Sequence, residues 1–100
     1  MYLSKRKWHL KKIIKSSRKT KKYDAVFVNR YTGETRKLSF GAIKKDGTPY
    51  EQFRDVTKLG LYTSYDHRDQ ARRKRYRARH RVYLKSGYHS PGSLSWKYLW

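Results

Sequence analysis

A chain of 100 residues with a formal net charge of +20 and no cysteine allows one small domain and excludes disulfides and thiolate metal sites. Apolar residues make up 36% and aromatic residues 16%, so the expected core is thin and rich in Tyr and Trp, whose polar tips suit interfaces. The charge excess opposes compaction in isolation and favours polyanions, so much of the chain is expected to order on binding; no apolar run reaches membrane-spanning length or forms a secretory signal.

The charge is uneven. Residues 1–22 hold ten Lys/Arg and no acid, residues 70–100 hold nine and none, and the stretch between holds eight against all seven acids. A near-neutral centre flanked by basic ends suggests a small folded unit that grips something with its ends. The first segment, MYLSKRKWHLKKIIKSSRKTKK, reads as a basic N-terminal arm over residues 1–22. Leu3, Trp8, Leu10, Ile13 and Ile14 mark a weak helix in it. Lys5, Arg6, Lys7, Lys11 and Lys12 are candidate contacts to a polyanion or partner. A membrane-surface helix and a solvated tail are the alternatives. Ser16-Ser17 and the following RKTKK read as a flexible join.

A single α+β domain is expected over residues 23–100. Tyr23–Val28 is a β-branched and aromatic run, Asn29–Glu34 a turn, and Thr35–Phe40 a second strand, with Gly33 supplying the left-handed position of a hairpin. An isolated two-stranded hairpin is marginal, so it needs a cover, from the basic helix further on or from another chain. Asp46-Gly47-Thr48-Pro49 is a turn. Tyr50–Leu59 suggests a short helix with Phe53 and Val56 on one side, or Asp46-Gly47 closes a third strand on a fourth.

The stretch YDHRDQARRKRYRARHRVYL, Tyr65–Leu84, reads as one long arginine-rich helix. At helical spacing Tyr65, Asp69, Arg72, Tyr76, His80 and Tyr83 share a line, and Ala71, Ala78 and Val82 share another. Arg73, Lys74, Arg77 and Arg81 form a basic face expected to point outward. Asp66 and Asp69 suit the positive end of the dipole. Lacking a broad aliphatic face, the helix needs a partner, and its charge selects an acidic one. Lys85-Ser86-Gly87 reads as its stop. Ser93 then caps a short Trp-rich helix, Leu94–Trp100, with Trp96, Leu99 and Trp100 on one side. Tyr65, Tyr76, Tyr83, Trp96 and Trp100 are candidate aromatic docking groups.

His9, His67, His80 and His89 lack metal-ligand spacing. Asp66 with Asp69 and Glu51 with Asp55 suit helix-start charge and local pairing better than two-carboxylate catalysis. No phosphate loop or nucleophile motif is present, so neither an enzyme nor a cofactor or small-molecule substrate is expected. Polyanion binding remains. Arg68, Arg72, Arg73, Lys74, Arg75, Arg77, Arg79 and Arg81 are the residues to track phosphates or bridge acidic protein surfaces, and arginine suits bidentate contacts to either.

Three segments, YDAVFVNRYTGETRKLSFGA, YDHRDQARRKRYRARHR and SWKYLW, resemble a small basic protein family of uncharacterised function associated with large nucleocytoplasmic DNA viruses. Tyr23, Ala25, Phe27, Asn29, Thr32, Gly33, Phe40, Gly41 and Ala42 fit its hairpin. His67, Asp69, Arg72, Arg75, Tyr76, Arg79 and His80 fit its helix, and Trp96, Leu99 and Trp100 its end. Residues 43–64 are longer than the family's link, and the basic segment before Tyr23 lies outside the pattern. The resemblance implies a viral setting and a virion location on the capsid interior; outside that setting an intracellular one is expected. The expected function is a non-enzymatic structural protein, a minor capsid or capsid-lining component that cross-links acidic surfaces. The expected partners are other capsid proteins, with DNA or RNA phosphates and an inner membrane surface as further ones. The alternative is a nucleic-acid-binding protein, genome-condensing or of ribosomal RNA-binding type.

Overall fold

A computed structural model describes residues 3–82 and 87–100. The chain is a small α+β fold with a three-stranded antiparallel sheet, a two-stranded sheet and two α-helices. The elements are β1 (Leu3–Ser4), β2 (Trp8–Lys15), β3 (Lys21–Asn29), β4 (Thr35–Ala42), a short 3-10 helix (Thr63–Tyr65), α1 (Gln70–Arg79), β5 (Tyr88–His89) and α2 (Pro91–Tyr98).

The expected hairpin is present as β3 and β4, with Tyr23 opposite Phe40 and Ala25 opposite Leu38. Its turn is fixed locally. The Asn29 side chain accepts from the backbone N–H of Tyr31 (2.8 Å) and Thr32 (3.2 Å), and Gly33 adopts φ +75°. The β-rich run of β3 takes the central position and is buried through most of its length.

Trp8–Lys15 is neither a weak helix nor a free arm. It is β2, paired antiparallel to β3 from Trp8 opposite Asn29 to Lys15 opposite Tyr23. The register shifts between Leu10 and Lys12, so Lys11 is an inserted bulge residue. The bulge lets Leu10 and Ile13, three apart, lie beside Phe27 and Ala25 on one face. That spacing imitates a helix in the sequence. Charged lysines along this edge strand also discourage further strand pairing.

The buried core comprises Leu3, Tyr23, Ala25, Phe27, Leu38, Phe40, Leu94 and Leu99, with Trp8, Leu10, Ile13, Tyr62, Tyr98 and Trp100 packed around it. The hairpin is therefore covered by α2, β1 and the loop carrying Tyr62. The arginine helix contributes no buried residue. β1 pairs with β5, Leu3 opposite His89, and so fastens the N-terminal segment beside the start of α2. Helix α2 begins at a capping box in which Ser90 and Ser93 exchange side-chain and backbone hydrogen bonds, with Pro91 in the first turn.

Residues 50–59 form no helix. The backbone N–H groups of Phe53 and Arg54 donate to the Leu99 carbonyl, and that of Val56 donates to Tyr98. The loop thus lies extended along the end of α2. The arginine helix is also shorter than expected, running only Gln70–Arg79, with Asp69 as N-cap accepting from Ala71 and Arg72 N–H. Tyr65 to Asp69 precede it as a 3-10 turn and extended chain, and Arg81 and Val82 follow it outside the α-helix. Tyr83, Leu84 and the Lys85-Ser86 part of the expected stop lie outside the described residues.

Candidate polyanion interface

A polar network, unforeseen in the sequence, fixes the loop on which one side of the interface stands. Lys22 is only 2% exposed despite belonging to the basic N-terminal run. Its Nζ donates to the Tyr50 carbonyl and to Gln52 Oε1, each at 2.6 Å. Gln52 Nε2 donates to the Tyr62 carbonyl (2.7 Å) and to Asp66 Oδ1 (2.9 Å), and Asp66 Oδ1 also accepts from the Asp55 backbone (2.9 Å). Tyr23 Oη donates to Asp55, whose other oxygen accepts from Thr57 Oγ1 and the Thr57 backbone N–H. Burial lowers the Lys22 ammonium to about 8, with Asp55 and Asp66 opposing that shift. Burial raises the Tyr23 hydroxyl, and its bond to Asp55 adds to the rise. Burial pushes the Asp55 carboxyl up, but hydrogen bonds from Thr57 and Tyr23 outweigh it and leave the group below its ordinary range.

The second support is an aromatic and guanidinium stack. Tyr76 lies parallel to Trp100, ring centroids 4.3 Å apart and planes 7° off. Arg73 and Arg77 do not point outward as a free basic face. Their Nε atoms donate to the Trp100 main-chain oxygen at 2.7 and 3.2 Å. The Arg73 guanidinium sits 4.5 Å from the Phe53 ring centre, and that of Arg77 sits 4.8 Å from Trp96. Burial, then the neighbouring Arg73 cation, lowers the Arg77 pKa. His67 packs on Trp100 and Phe53, and its Nδ1 accepts from the Asp69 backbone N–H, which places the proton on Nε2. That Nε2 is buried without a hydrogen-bond partner, and burial followed by the Arg72 charge lowers the His67 pKa.

The other expected contact residues separate into distinct places. Arg72 pairs with Glu51 at 3.4 Å. Lys74, Arg75, Arg79 and Arg81 are exposed, and Arg75 and Arg79 flank a shallow depression at Ala78. Arg68 is exposed at φ +53°, its backbone N–H bound to the Phe53 carbonyl. Arg6 and Lys7 are exposed in the link from β1 to β2, Lys5 is exposed beside α2, and Lys11 and Lys12 are exposed on β2. Of the aromatic candidates, Tyr76, Trp96 and Trp100 come together, while Tyr65 sits in the 3-10 helix with its carbonyl accepting from Gln52 N–H.

Every carboxylate is engaged within the chain. Asp24 accepts from Ser39, Asp46 from Thr48, and Asp69 from its own helix. Asp55 and Asp66 serve the buried network. Glu34 pairs with Arg36 and Glu51 with Arg72. Seven acids set against 27 Lys/Arg leave a large positive surplus on the surface. No protein-family profile, curated protein or solved structure matches the chain.

Proposed function

We propose that the protein is a non-enzymatic structural component of a large DNA virus particle, a minor capsid or capsid-lining protein that joins acidic surfaces. The observation supporting this most is the internal use of the carboxylates, five of them by neutral donors, which leaves the surplus cations to be balanced from outside. The exposed cations stand on separate elements, Lys74, Arg75 and Arg79 on α1 and Lys11 and Lys12 on β2. A rigid body with cations on several elements suits bridging more than gripping by loose arms. The viral setting rests on the resemblance of the hairpin, helix and Trp-rich segments. Lysine cross-linking of assembled particles tests the reading. Cross-links from Lys74 and Lys12 to acidic shell proteins are expected, and cross-links confined to copies of this chain would overturn it.

Nucleic acid is the second partner, favoured by a basic groove lined with aromatic rings on the α2 side of the molecule.

A further inference from the structure

Three depressions meet around Tyr98. The first, about 400 Å3, is lined by Lys5, Arg77, Trp96, Lys97 and Tyr98 among others. The second, about 190 Å3, shares Arg77, Lys97 and Tyr98 with it and adds Phe53, Arg54 and Arg73. The third, about 300 Å3, shares Tyr98 with both and adds Lys11, Lys12 and Lys58. Together they form a groove between α1, the end of α2, the 53–58 loop and the β2 edge. No carboxylate lines any of the three.

We propose that this groove binds single-stranded nucleic acid, with phosphates on its cations and bases against the Tyr98 and Trp96 rings. The inference deepens the second partner named above and rests on the polyanion reading. The aromatic faces favour nucleic acid over an acidic peptide, because every base offers a π-face for stacking. The recessed cations favour a flexible single strand, since a duplex is read by elements that project into its grooves. Arg73 and Arg77 are already ordered. Each spends Nε on the Trp100 oxygen and lays its plane on a ring, so the Nη donors are held for a phosphate at little further entropic cost. Lys97 adds its ammonium 5.3 Å from the Tyr98 ring centre.

The test is fluorescence anisotropy of an end-labelled short oligothymidylate on the full chain across a salt series, with polyglutamate as competitor. Lys58 and Lys97 are exposed, so the double variant K58A/K97A leaves the fold intact. It is expected to weaken oligothymidylate binding about tenfold and to lower the salt slope by about 1.4, roughly 0.7 for each phosphate released. The matched double variant K74A/R75A on α1 is expected to cost about twofold or less. Bound oligonucleotide quenches tryptophan emission, and W96F removes most of that quenching. Equal competition by polyglutamate, equal losses in the two double variants, or quenching unchanged in W96F would overturn the proposal. Particle incorporation of K58A/K97A at the wild-type level, combined with unaltered oligonucleotide binding, would sink the groove and leave the particle role standing.

Discussion

Lys22 offers the sharpest test of how this fold is held. Its ammonium is buried between the Tyr50 carbonyl and Gln52 Oε1, and its folded pKa of about 8 lies below the ordinary 10.5. That gap corresponds to about 3 kcal/mol acting against the charged form, and solvent screening reduces it to about 2 kcal/mol. The unfolded chain binds the proton more tightly, so stability rises with pH between about 8 and 10.5. Tyr23 works the other way. Its folded pKa is raised, so stability falls once the unfolded tyrosine ionises above about 10. Together these predict a stability maximum near pH 10. In K22M the apolar side chain removes the cost of burying charge but leaves the Gln52 and Tyr50 oxygens without that donor. Two charge-assisted hydrogen bonds at about 1.5–3 kcal/mol each outweigh the relief, so the variant is less stable at pH 7 by about 1–3 kcal/mol. It should also lose the alkaline rise. Urea unfolding followed by tryptophan fluorescence at about pH 7 and about pH 9.5 measures both effects. A wild-type protein of constant stability between those values, or a K22M protein that keeps the rise, would refute the reasoning.

Other consequences are open to the same assay. Gly33 sits at φ +75° with open space where a Cβ would stand, so G33A meets no clash and costs only the left-handed backbone penalty, about 1–2 kcal/mol; a neutral result would contradict the turn. D69A removes the cap of α1 and should lose about 1 kcal/mol together with helical circular dichroism. His67 and His89 both have lowered folded pKa values, chiefly through burial. The unfolded chain binds their protons more readily, so stability should fall as pH drops below about 6.5; titration of the two rings by NMR should place both midpoints below that value.

The hairpin was legible because its signals are local: a β-branched run, an Asn-led turn and a glycine at the left-handed position. The strand before it was hidden by one residue. Lys11 bulges out, and the alternation that marks a strand becomes the three-residue step of a helix. The helix start was misplaced for a different reason. Asp66 and Asp69 are equally good candidates by charge, but Asp66 is drawn into bonds with Gln52 and the Asp55 backbone, and only Asp69 caps. The loop over residues 50–59 takes its shape from the Leu99 and Tyr98 carbonyls, some forty residues away in sequence, which no local pattern announces. Charge also misled at Arg73 and Arg77. A guanidinium is planar and weakly hydrated, so it can lie on an aromatic face inside a cleft while keeping its charge. The helix therefore carries two arginine populations, one built into the groove and one facing solvent.

The particle role is tested most directly by quantitative mass spectrometry of purified virus particles. The account predicts this chain at a fixed ratio to the major shell protein, unchanged by nuclease treatment and by washes at moderate salt. Recovery of the protein only from infected-cell lysate, with none in the particles, would contradict it.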